Sequence, residues 1–98
     1  MKSAVAETRP EIEYPKMDES IGSREYTLRI AAPEAVDAVD VSIDQGPWLP
    51  CRKDVGYWWY DWSGYAEGAH EIIARTRAAS GRWRMSIPLE ITVEIAVE

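Results

Sequence analysis

The chain predicts an all-β fold, a small two-sheet sandwich of about seven antiparallel strands. Three observations carry that expectation. Apolar and polar residues alternate in short blocks, most clearly in REYTLRIAA from Arg24 and VDVSID from Val39. Turns rich in Gly, Pro and Asp separate the blocks, as at Asp44-Gln45-Gly46-Pro47. No segment carries a sustained helical period.

The elements follow in order. Residues 1–10 are polar and unpatterned and predict a flexible N-terminal tail, leaving 11–98 as a single domain. Glu11 to Met17 places Ile12 and Tyr14 on one side, while Pro10 and Pro15 confine this first strand to a sheet edge, because proline lacks a ladder donor. Asp18 to Ser23 reads as a turn. In the second strand Tyr26, Leu28 and Ile30 share one face and Glu25, Thr27 and Arg29 the other. PEAVDA, from Pro33, reads as a crossing loop.

Val39, Val41 and Ile43 define a third strand, and Trp48 and Leu49 open a short return strand closed by Pro50. Arg52 to Gly56 is another turn. The aromatic block Tyr57 to Trp62 follows, then a corner from Gly64 to Gly68 and a long strand with His70, Ile72, Ala74 and Thr76 on one face. After the hairpin turn Ala78-Ala79-Ser80-Gly81, apolar residues occupy every odd position from Trp83 to Val97. Strands usually stop near 5–10 residues, so Pro88 is expected to divide that run with a kink or bulge.

Composition bounds the function. The chain has 98 residues, a formal net charge of −6 and one cysteine. An acidic field repels phosphate backbones and anionic headgroups, so neither nucleic acid nor membrane is an expected partner. Arg75, Arg77, Arg82 and Arg84 gather around one hairpin; the expected role is a solvated face balanced by Glu71 and Glu90 rather than a phosphate grip. Cys51 cannot form an internal disulfide, so packing alone must hold the fold. Arg52 and Lys53 beside it could lower its pKa, yet only His70 could serve it as a base, and a passive thiol is expected. Neither a signal-peptide core nor a membrane span is legible, so a cytoplasmic location is expected for the chain as written.

A hydrolase needs a nucleophile with a base, or paired carboxylates across a cleft. With one histidine in the chain, His70 reads as a rim residue bonded to a neighbouring loop. Asp40, Asp44, Asp54 and Asp61 lack the spacing of a calcium loop and read as turn-forming and solvating residues. No catalytic residue, metal ligand or cofactor is expected.

Three motifs carry a resemblance: V-x-V-S-I-D-x-G-x-W at Val39 to Trp48, W-x-Y-x-W at Trp58, Tyr60 and Trp62, and G-x-H-x-I-x-A-R at Gly68 to Arg75. From Glu25 to Val97 the chain resembles the immunoglobulin-like and fibronectin type III-like modules attached to many bacterial enzymes and surface proteins. Similar patterns occur in domains that space, support or dimerise larger enzymes, including the carboxy-terminal module of sulfite-oxidase-like proteins. The resemblance implies an immunoglobulin-like sandwich in which Trp58, Tyr60 and Trp62 point inward. Tyr57 and Trp59 then point outward, beside Arg29 of the paired second strand, which is expected to stack on Trp59.

Tyr57, Trp59 and Arg29 are therefore the candidate binding surface. Trp48 and Trp83 are expected to cover open ends of the core. The resulting expectation is a non-catalytic interaction or accessory module that docks a protein partner or a second copy of itself, through a sheet face or the β-prone edge Leu89 to Ile95. The alternative is a carbohydrate-binding module with Tyr57 and Trp59 stacked on sugar rings.

Overall fold

The computed structural model describes residues 9–33, 36–78 and 81–95. Ten strand segments occur among them: β1 (Glu11–Tyr14), β2 (Ser20–Ile21), β3 (Glu25–Ala31), β4 (Val36–Ile43), β5 (Leu49–Pro50), β6 (Arg52–Asp54), β7 (Tyr57–Ser63), β8 (Gly68–Ala78), β9 (Trp83–Met85) and β10 (Leu89–Val93). One sheet has the order β1-β3-β7-β6, and the other β2-β10-β8-β4-β5 with β9 also paired to β8. The architecture is an all-β, immunoglobulin-like sandwich. Most of the predicted tail, residues 1–8, lies outside the described residues, and Pro10 is buried.

Alternation places the core between the sheets. Leu28 and Ile30 of β3 and Trp58 and Trp62 of β7 meet Val39 and Val41 of β4, Ile72 and Ala74 of β8, and Leu89, Ile91 and Val93 of β10. Leu28, Ile30, Val41 and Ile72 are wholly removed from solvent. Each such aliphatic side chain contributes roughly 1.5–3 kcal/mol of burial.

Hairpin chemistry fixes the registers. Between β4 and β5, Asp44 and Gln45 both have positive φ (53° and 62°), and the Gly46 amide donates to the Ile43 carbonyl at 3.0 Å. Two successive left-handed residues make the turn whose twist matches its strands, and Asp tolerates that conformation.

Several segments depart from the sequence expectation. The stretch Asp18 to Ser23 is not only a turn: β2 pairs in parallel with β10, through Thr92–Ser20 and Val93–Ile21. Asp18 N–H also donates to Glu90 O, Thr92 N–H to Glu19 O and Glu94 N–H to Ile21 O. The edge Leu89 to Ile95, expected to be open, is thereby covered. Arg52 to Gly56 contains strand β6, whose residues pair with Tyr57, Trp58 and Trp59. β4 begins at Val36, inside the segment read as a crossing loop, with an irregularity between Val36 and Ala38.

The run of odd apolar positions does not share one face. β8 pairs Arg75 with Met85 but Ile72 with Leu89, so three steps along β8 match four along the other chain segment. That one-residue offset, spanning Ser86 to Pro88, reverses the alternation. Leu89, Ile91 and Val93 turn into the core, while Trp83, Met85 and Ile87 are 40%, 54% and 68% exposed. Ser86 holds the offset in place: its amide donates to Ala74 O at 2.8 Å and its hydroxyl accepts from Ala74 N–H at 2.9 Å.

Candidate docking surface

The outer face of the β1-β3-β7-β6 sheet holds the residues the sequence singled out. The β3–β7 register sets Arg29 directly opposite Trp59, both on the outward phase. The Arg29 guanidinium nevertheless lies over the rings of Tyr14 (4.7 Å) and Tyr57 (4.4 Å) rather than over Trp59. Its Nη2 pairs with Glu13 Oε1 at 2.8 Å on the neighbouring strand β1. Trp59 is held independently, by donation from Nε1 to the Asp54 carbonyl at 2.9 Å.

Tyr57 and Trp59 stand edge to face, with ring centroids 6.0 Å apart and planes inclined at 73°. Both are half-buried. Farther along the face, Asp61 accepts from Thr27 Oγ1 at 2.9 Å and from Arg52 Nη1 at 2.7 Å, which together hold its carboxyl below the usual range. Tyr57, Trp59 and Arg29 are thus brought to one face but are committed to neighbours within the chain, and their rings form no shared plane.

The outer face of the opposite sheet is built differently. Arg75 of β8 is sandwiched between Trp48 (4.3 Å) and Trp83 (3.9 Å), and its Nε pairs with Asp40 Oδ2 at 3.0 Å from the neighbouring strand. Trp48 and Trp83 do not cover the ends of the core. The turn before Trp48 and the offset after β9 both direct these rings to the outer face, where a guanidinium offers a better partner than an open core end. Asp40, rather than Glu71 or Glu90, balances this arginine, and Glu71 and Glu90 sit opposite one another across β8 and β10. Trp83, Met85 and Ile87 extend the face into an exposed apolar strip. Met17, 51% exposed, joins Ile12, Ile87 and Leu89 around an adjoining groove of about 320 Å³.

At one end of the sandwich, His70 is bonded through both ring nitrogens: Nδ1 to Asp44 Oδ2 at 2.6 Å and Nε2 to the Ala66 carbonyl at 2.7 Å. A carbonyl and a carboxylate accept, so the ring satisfies both bonds at once only when it is doubly protonated, which favours the imidazolium. Burial opposes its charge, but the Ala66 carbonyl and Asp44 outweigh burial and raise its pKa. The ring packs against Trp62 and Tyr65, and the Tyr65 hydroxyl donates to the Ser23 carbonyl at 2.7 Å. This is the rim histidine of the sequence reading, with a tyrosine tie that the sequence did not announce.

The four aspartates are dispersed: Asp40 serves Arg75, Asp44 the His70 corner, Asp54 the β6 turn and Asp61 the β3–β7 face. No three His, Cys, Asp or Glu side chains among the described residues gather as a metal site. For Cys51, the cationic neighbours do not lower the pKa: burial, followed by the charge of Asp40, pushes the thiol up to about 12. Labelling of the folded chain by a thiol reagent at pH 8 is expected to run at least about a hundredfold slower than labelling in urea, since the thiolate is the reactive form. Equal rates would contradict that environment.

No protein-family model matches the chain, and no curated protein matches it in sequence. Solved structures do match. The fibronectin(III)-like modules of Clostridium thermocellum CbhA superpose with a TM-score of 0.75 at 17% identity, covering 91% of this chain and 99% of that one. An endo-β-1,4-mannanase from Thermotoga petrophila gives 0.77 at 13% identity over 94% of this chain, which spans only 21% of the mannanase. CopC from Methylosinus trichosporium OB3b gives 0.66 at 14% identity, over 86% of this chain and 90% of that one. These likenesses establish the fold, a fibronectin type III-like β-sandwich. No helix among the described residues is long and apolar enough to cross a membrane.

Proposed function

We propose that this chain is a non-catalytic accessory module that docks a protein partner, or a second copy of itself, through β9 and the outer face around it. One observation carries the reading: the offset at Ser86 to Pro88 turns Trp83, Met85 and Ile87 outward, where packing alone would favour burying them. Interface centres favour a tryptophan beside an arginine, the arrangement of Trp83 on Arg75. The occurrence of similar sandwiches as modules, in CbhA and within a modular mannanase from Cellulomonas fimi, supports an accessory role.

Glycan binding is the second reading. It draws on the same neighbours, but the candidate platform of Tyr57 and Trp59 is folded at 73° rather than flat. Electrophoresis through gels containing soluble β-glucan, mannan or xylan separates the two. The docking reading expects equal mobility with and without polysaccharide, for both the parent and Trp59→Ala. Retardation of the parent that Trp59→Ala abolishes would replace docking with carbohydrate binding.

A further inference from the structure

The backbone of β9 specifies the kind of partner the surface fits, an inference that rests on the docking reading above. In an antiparallel pair, residues alternate between bonding one neighbour and the other. Ala78 N–H donates to Arg82 O at 3.0 Å and Ser86 N–H to Ala74 O at 2.8 Å, so Arg82, Arg84 and Ser86 direct their backbone groups to β8. Trp83 and Met85 direct theirs the other way. No described strand lies on that side, because β2, which lines the same edge of the sheet, pairs only with Thr92 and Val93 of β10.

Charge narrows the choice of occupant. The chain has 17 acidic and 11 basic residues, yet cations gather at this edge. The Arg77 guanidinium reaches over the Trp83 ring, 5.9 Å from its centroid, and Arg82 is exposed at the start of β9. No ion pair among the described residues takes up either one. A second copy fits this edge poorly: antiparallel self-pairing about the middle of β9 would set Arg84 against Arg84, and like charges directly opposite are destabilising.

We propose that β9 accepts an extended acidic segment of a protein partner as an added strand. The amides and carbonyls of Trp83 and Met85 supply its ladder, Trp83 and Met85 pack beside its outward side chains, and Arg77 and Arg82 pair with its carboxylates. The other arginines are occupied, Arg75 by Asp40 and the two tryptophans.

Selection from a random peptide library against the intact chain tests this, run beside Arg77→Glu/Arg82→Glu and Met85→Pro. Proline at 85 removes an amide that points away from β8, so the β8–β9 pairing survives, which near-UV circular dichroism checks. The parent is expected to enrich peptides with Asp or Glu at alternate positions, and the charge-reversed variant to enrich Lys or Arg instead. Met85→Pro is expected to bind the parent's selected peptides at least about tenfold more weakly. Enrichment of apolar peptides indifferent to charge reversal would overturn the acidic segment and leave docking intact. Undiminished binding by Met85→Pro would overturn strand addition. If no peptide is enriched, the segment proposal is wrong, and the docking reading is then decided separately by the polysaccharide gels.

Discussion

Trp62→Ala is expected to lower the free energy of unfolding by about 3–5 kcal/mol, the range for truncating a buried aromatic. Trp62 is 6% exposed in β7 and joins two structures at once. Its ring faces the aliphatic core, and its other contacts are Tyr65 at 4.1 Å and His70 at 5.2 Å between centroids. Truncation leaves a cavity that the β7–β8 corner cannot fill, because Tyr65 is tied to Ser23 and His70 to Asp44 and Ala66. Small domains are stable by about 5–15 kcal/mol, so the loss is a large fraction of the total. Urea unfolding followed by circular dichroism should show a lower midpoint with an unchanged slope. A loss below about 1 kcal/mol would mean that the corner relaxes around the gap.

Stability is also expected to fall as the solution becomes alkaline, through the His70–Asp44 pair. The pKa of His70 is raised in the folded state, so its contribution is fully present below the ordinary imidazole value of 6.5 and is lost as pH rises through the folded value. For Asp44, burial pushes upward, but the bond from the Glu71 amide and the pairing with His70 prevail and lower its pKa. Its contribution is present above the ordinary carboxylate value of 3.8 and is lost as pH falls through the folded value.

The pair therefore stabilises most between those limits. Asp44→Asn keeps an oxygen for the Glu71 amide and tolerates the positive φ, while its NH2 replaces the oxygen that accepts from His70, so it removes the charge and that bond together. Its expected cost is about 1 kcal/mol near pH 5.5, because solvent screens the half-exposed carboxylate, with little left at pH 9. Urea midpoints of both proteins across pH 5–9 read this directly, and parallel curves would rule out the pair as the source.

Much of the sandwich was legible because strand alternation is local. Tyr26, Leu28 and Ile30 against Glu25, Thr27 and Arg29 needed no tertiary information, nor did the hairpin at Asp44. What depended on a partner strand was not legible. Ser20 and Ile21 have no pattern of their own and become a strand only because the amides and carbonyls of β10 need partners. Arg29 could be assigned to the correct face from its phase, but the position of Glu13, which decides which rings it covers, came from a different strand.

The face around β9 was not legible for a related reason. Alternation from Trp83 to Val93 is perfect in sequence, so nothing in the residue types reports that the two halves face opposite ways. Pro88 signalled a break in the strand without signalling its parity. The outward aromatics of β7 drew attention, whereas Met85 and Ile87 stood only as members of one alternating run.

The offset held by Ser86 also means that the two facings of this one alternating run are written in chain length rather than in residue type. Removing one residue between Met85 and Leu89 would match three steps of β8 with three of its partner, so Leu89 would stay inward and Trp83 and Met85 outward without any offset. The one extra residue thus lets a single unbroken alternation in sequence present Trp83 and Met85 to solvent and Leu89, Ile91 and Val93 to the core.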